Sequence, residues 1–78
     1  MNYPQDALEG AIQGKVYIGF TVLEDGSIAN TNVKRGVHTS LDKESIRLIQ
    51  SMPKWEPAES NGKKVASEYT LPVYFRLN

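Results

Sequence analysis

An α+β fold is what this chain of 78 residues predicts: a three-stranded antiparallel sheet in the order 2-1-3, two helices packed on one of its faces, and the third strand at an edge. Three observations carry the prediction. Apolar residues recur with period two over residues 15–23 and 64–77. The period becomes helical over residues 41–52. Asp25-Gly26 stands between the first two strands, where a tight turn requires positive φ.

Taken in order, residues 3–12 read as a short helix. Pro4 suits its first position, Asp6 its positive dipole end, and Ala7, Leu8, Ala11 and Ile12 its apolar stripe. Gly10 weakens it and Gly14 closes it. In the first strand Val16, Ile18, Phe20 and Val22 alternate with Tyr17, Gly19 and Thr21. The second strand, residues 28–35, is weaker: Ile28 and Val33 differ in parity, so one face holds both only through a bulge near Asn30. Ser40 or Thr39 then caps a helix whose stripe is Leu41, Ser45, Leu48, Ile49 and Met52, with Ile46 at its margin, and Pro53 ends it.

A turn at Ser60-Asn61-Gly62 leads into the third strand. Its odd positions from Val65 to Leu77 are apolar apart from Ser67, and its even positions are mostly polar or amphipathic. A tight turn makes the first two strands antiparallel neighbours, and the helix returns the chain. The third strand can then lie parallel beside the second or antiparallel beside the first. The first strand is the most continuously apolar and belongs in the middle, which favours the order 2-1-3. Pro72 has no N–H for a ladder, so it marks the third strand as an edge. If Pro72 points outward, Thr70, Tyr74 and Arg76 do too, while Leu71, Val73 and Phe75 bond to the first strand. Trp55, between Pro53 and Pro57, reads as a core anchor, and Tyr17 and Tyr74 as a cross-strand pair on the wet face.

Composition excludes several functions. The length allows one small domain, residues 1–78, burying roughly 60–65% of the surface of its unfolded chain. Nine Lys plus Arg balance nine Asp plus Glu, which argues against nucleic acid as a partner. No cysteine is present for a disulfide or a Cys-ligated metal. No apolar run is long enough to span a membrane, and the first residues lack a signal-peptide pattern, so the chain is expected to be either cytosolic or a piece of a longer one. His38 is the only histidine and reads as a surface loop residue; no metal-ligand pattern, nucleophile-base pair or phosphate loop is found. The chain is expected to be no enzyme and to need no cofactor or metal.

A set of short motifs adds to this. Tyr3-Pro4 precedes the first helix and Gly14-Lys15-Val16 opens the first strand. Asp25-Gly26-Ser27-Ile28 forms the hairpin and Leu41-Asp42 starts the second helix. Then come the stretch from Met52 through Lys54, Trp55, Glu56 and Pro57 to Ala58, the turn Asn61-Gly62-Lys63, and an ending from Pro72 through Val73, Tyr74, Phe75 and Arg76 to Leu77. In this order they resemble the C-terminal domain family of TonB, the periplasmic energy transducer of Gram-negative bacteria, over nearly the whole chain.

The resemblance implies a periplasmic domain of an inner-membrane-anchored protein, whose membrane helix and proline-rich spacer would lie outside these residues. It implies an inner-membrane proton-channel complex as the energy source, engaged through that missing part. The partner would be the TonB box of outer-membrane transporters, added as a strand beside the last strand. Carried onto this chain, the binding residues would be Thr70, Leu71, Pro72, Val73, Tyr74, Phe75, Arg76 and Leu77, with Tyr3 and Pro4 nearby; Pro72 removes one donor from that edge. The alternative is the same fold as a structural or sensory module of an envelope protein, for example fused to a membrane peptidase, with no transporter partner. A free edge also predicts homodimers through pairing or exchange of the third strand.

Overall fold

The computed structural model describes residues 2–77. Its elements are α1 (Gln5–Glu9), β1 (Gly14–Val22), β2 (Ile28–Arg35), α2 (Thr39–Gln50), β3 (Ala58–Ser60), β4 (Lys63–Val65) and β5 (Ser67–Phe75). The main sheet is antiparallel in the order β2-β1-β5, the predicted 2-1-3, and β3 pairs with β4 in a separate two-stranded sheet.

β1 forms the middle because Val16, Ile18, Phe20 and Val22 are buried. They meet Val73 and Phe75 from β5, Leu41 and Ile49 from α2, and Ala7 from α1 in one core. α2 packs on β1 and β2, and α1 packs on α2. In α2, Leu41, Ser45 and Ile49 are buried as the stripe required, and the Ser45 hydroxyl is satisfied by donating to the Leu41 carbonyl at 2.8 Å.

The β1–β2 turn is held by Asp25. Its Oδ1 accepts from the Ser27 amide at 2.9 Å and the Ser27 hydroxyl at 2.6 Å, and these bonds hold its carboxyl below the usual range. Gly26 has φ 88° and accepts from the Trp55 amide at 2.9 Å, so close that a Cβ there would strike the Trp55 carbonyl oxygen. The parity conflict in β2 is resolved by a register shift: Gly19 and Thr21 of β1 face Asn32 and Ala29, leaving an extra residue on β2, and Asn30 takes φ 53°. A second shift falls between Tyr17, opposite Arg35, and Ile18, opposite Val33.

Besides β3 at Ala58–Ser60, a strand that the sequence expectation does not include, four details differ from it. α1 is a single turn that stops at Gly10 rather than continuing through Ile12, because Ala11 enters the left-handed region at φ 52°. Pro4 is accordingly its N-cap rather than its first residue. The N-cap of α2 is His38, not Ser40 or Thr39: its Nδ1 accepts from the Ser40 amide at 3.3 Å. The long strand over residues 64–77 is broken after Val65 and ends at Phe75. β1 explains this last difference. Its last residue, Val22, faces Ser67 and its first, Gly14, faces Phe75, so nothing in the main sheet can pair with residues beyond. Residues 63–65 pair instead with β3 across Asn61 and Gly62, both at positive φ (53° and 78°) as a tight hairpin turn requires.

Candidate functional site

β5 pairs with β1 on one side and with no strand of the described residues on the other. Which of its backbone groups face outward follows from β1. The Leu23 amide bonds across the hairpin to the Ser27 carbonyl at 2.8 Å, so odd-numbered residues continuing back along β1, Tyr17 included, turn towards β2. Tyr17 faces Pro72 across the β1–β5 ladder, which makes that pair non-hydrogen-bonded and turns the Pro72 nitrogen outward. Leu71 and Val73, opposite Ile18 and Val16, bond inward. Thr70 and Tyr74 present free N–H and C=O groups outward, and Pro72 presents its carbonyl alone.

β2 forms the opposite edge of the sheet, and the two edges differ in regularity. β2 carries two register shifts and a left-handed Asn30, which twist it and interrupt its line of groups. β5 pairs residue for residue from Ser67 to Phe75 without a shift. Of the two edges of the main sheet among the described residues, β5 is the one that offers a straight template for another strand.

Side chains on β5 alternate as an edge strand requires. Val73 and Phe75 are buried and Leu71 half-buried, whereas Thr70, Pro72 and Tyr74 are exposed on the face without helices. The sequence expectation of a Tyr17–Tyr74 pair is replaced by another. Tyr74 faces Lys15, whose Nζ lies 5.7 Å from the ring centroid, a cation–π contact. Beside them, Gln13, Gly14, Lys15, Tyr74, Phe75 and Arg76 line a shallow recess of about 290 Å³. Arg76 and Leu77 lie past the end of β5; the Leu77 amide donates to Gln13 Oε1 at 2.9 Å.

Tyr3 is brought to this end of β5 through contacts far apart in sequence, and Pro4 follows it as the N-cap of α1. The Tyr3 ring meets Phe75 edge-on, centroids 5.5 Å apart and planes at 88°. The Tyr3 hydroxyl donates to the Ile12 carbonyl. Just before Tyr3, the Asn2 amide donates to Glu44 Oε2 at 2.9 Å. The same Glu44 carboxylate takes bonds from Arg47 Nε at 2.8 Å and Nη2 at 2.6 Å, which together lower its pKa to about 2. Arg47 and Glu44 thus fix a carboxylate on α2 that anchors the segment carrying Tyr3.

The structure also places at this edge residues outside the sequence-predicted set. Tyr69 lies over Phe20 at 6.0 Å with planes 24° apart, and against Trp55 at 5.3 Å. Trp55 meets Phe20 edge-on at 5.2 Å. Trp55 is the expected anchor against the core, yet it is only partly buried. The odd-position period marked Tyr69 as an inward residue; nothing local indicated that it would stay 36% exposed beside Trp55. Among the described residues no group of His, Asp or Glu is placed to hold a metal ion, and no helix is long and apolar enough to cross a membrane.

Comparison with known proteins agrees with this architecture. The family model described as Gram-negative bacterial TonB protein C-terminal matches residues 1–77. Protein TonB of Pseudomonas aeruginosa is 35% identical over 77 residues, which cover 96% of this chain and 22% of that relative. The chain therefore spans about a fifth of the length of the curated relative it matches. With the family match running through every element from α1 to β5, this chain belongs to the TonB C-terminal domain family.

Proposed function

We propose that this domain is the partner-gripping module of a periplasmic energy transducer of the TonB type, and that it works by binding rather than catalysis. The TonB box of an outer-membrane transporter adds as a strand to the outer edge of β5, and energy drawn from the proton-motive force reaches the transporter through that junction. An inner-membrane proton-channel complex supplies the energy through parts of the protein outside this chain. The single observation that supports the reading most is the unpaired, unbroken outer edge of β5.

Main-chain pairing of this kind tolerates varied partner sequences, while side chains at alternate positions select among them. Thr70, Tyr74 and the Pro72 carbonyl supply the main-chain groups. Leu71, Val73 and Phe75 support the strand from the core side, and Tyr3 and Pro4 brace its end. Arg76 and Leu77 extend the contact beyond the strand. Several such bonds lie side by side along the strand and share a load, whereas a small apolar patch would peel.

Titration of the isotope-labelled domain with a TonB-box peptide tests the reading. Amide shifts concentrated in residues 70–77 are the expected result. Absence of any shift at millimolar peptide would sink it and favour a structural or sensory module without a transporter partner.

A further inference from the structure

The core-facing side of β5 is not evenly covered along its length. Phe75 is 1% exposed and Val73 7%, but Leu71 is only half-buried and Tyr69 is 36% exposed. The cause is the asymmetric placement of neighbours. Tyr3 closes over Phe75 at one end, while at the other the Tyr69 ring packs against Phe20 and Trp55 and still stays exposed.

A strand added to β5 would run about 4.8 Å from it and send every second side chain to the core-facing side. Near Val73 and Phe75 such a side chain finds surfaces already covered and gains little. Near Leu71 and Tyr69 it finds a partly exposed aliphatic chain and two aromatic rings, so an apolar side chain removes further surface from water there. A polar one would lose its hydration against surfaces made mostly of aliphatic and aromatic carbon, where the Tyr69 hydroxyl and the Trp55 indole N–H are the only polar side-chain groups among Leu71, Tyr69 and Trp55.

We infer that Tyr69, Leu71 and Trp55 form an apolar subsite beside the outer edge of β5, which takes one aliphatic or aromatic side chain of the strand-adding partner. The inference rests on the strand-addition reading above and deepens it. Selection among partner segments is thereby located at the Tyr69 end of β5, and the Tyr3 end serves as a structural brace. Trp55 is both a core anchor and one wall of this subsite.

Trp55 is the only tryptophan in the chain, so its emission reports on the subsite directly. The experiment titrates the domain with a TonB-box peptide and with the same peptide carrying serine at each position in turn, following Trp55 fluorescence and backbone amide shifts together. The wild-type domain should show a blue shift of Trp55 emission on binding. One apolar-to-serine replacement should weaken binding about tenfold, well beyond the others. Tyr69→Thr, which keeps a good strand former, should reduce that discrimination to about twofold while amide shifts at Thr70 and Tyr74 persist.

Amide shifts along β5 with an unmoved Trp55 emission, or with peptides equally sensitive at every position, would overturn the subsite and leave strand addition standing. Absence of amide shifts in residues 67–75 with any peptide would overturn both. Should Tyr69→Thr fail to fold, the wild-type peptide series decides by itself. A Trp55 emission that changes with protein concentration in the absence of peptide would show a second copy of the chain in the subsite and overturn the partner assignment.

Discussion

Tyr17 faces Pro72 across the β1–β5 ladder, and this one pairing orients every backbone group on the outer edge of β5. A proline is tolerated there because the amide it lacks would point away from β1. The same alternation assigns its neighbours: Tyr74 outward, Val73 inward.

Two proline substitutions therefore separate folding from binding. Tyr74→Pro should leave the fold largely intact, judged by chemical shifts away from β5, and abolish binding of a TonB-box peptide. Val73→Pro removes an inward ladder bond at a buried position and should cost at least about 1–3 kcal/mol in urea unfolding. Unfolding by Tyr74→Pro, with Val73→Pro tolerated, would invert the register.

Gly26 combines φ 88° with direct contact to the Trp55 carbonyl. Gly26→Ala should destabilise the domain by about 1–3 kcal/mol from backbone strain alone, with displacement of residues 54–56 in addition. Chemical denaturation gives the cost, and a changed Trp55 emission in the folded variant locates it. An unchanged midpoint would mean the hairpin and the Trp55 segment are not coupled.

His38 caps α2 through a ring nitrogen that accepts from the Ser40 amide. His38→Ala should cost about 0.5–2 kcal/mol, and His38→Asp should recover much of it by restoring an acceptor and adding negative charge at the helix N-terminus. Equal stability of all three proteins would show that the cap contributes nothing.

Glu44 titrates at about 2 rather than its ordinary 4.5, chiefly because Arg47 hydrogen-bonds its carboxylate and, secondarily, because of the Asn2 amide. A lowered folded-state pKa means the stabilisation is complete above the ordinary value and is lost as pH falls from about 4.5 through about 2. The Asn2 amide and the Tyr3 ring should shift across that window in NMR spectra, and Glu44→Gln should remove most of the transition. The effect on global stability should be small, because Arg47 is 52% exposed and solvent screens the pair.

Much of this architecture was legible in local chemistry. The alternation in β1, the Asp25-Gly26 turn, the α2 stripe and the parity clash in β2 each identify their element, because each depends on residues a few positions apart. The β2 bulge at Asn30 was readable for the same reason. What failed locally were the limits of elements. A histidine is an unusual cap, so local chemistry points to Thr39 or Ser40 instead, and the alternation of the third strand carries on past the point where β1 has residues left to pair. At the candidate site, the exposed Thr70, Pro72 and Tyr74 were visible in the period, whereas the Lys15–Tyr74 contact required the register.

The sequence by itself identified both helices and the three strands of the main sheet, favoured their antiparallel order, and through Pro72 put the last strand at an edge, but it did not show the β3–β4 hairpin. Only the tertiary structure decided how long that edge is, that Tyr3 shields its Phe75 end, and that Tyr69 and Trp55 leave the other end open. The reason is physical: period and turn chemistry act over a few residues, while the coverage of an edge depends on residues more than sixty positions apart, such as Tyr3 and Phe75, whose meeting is set by the packing of the whole core.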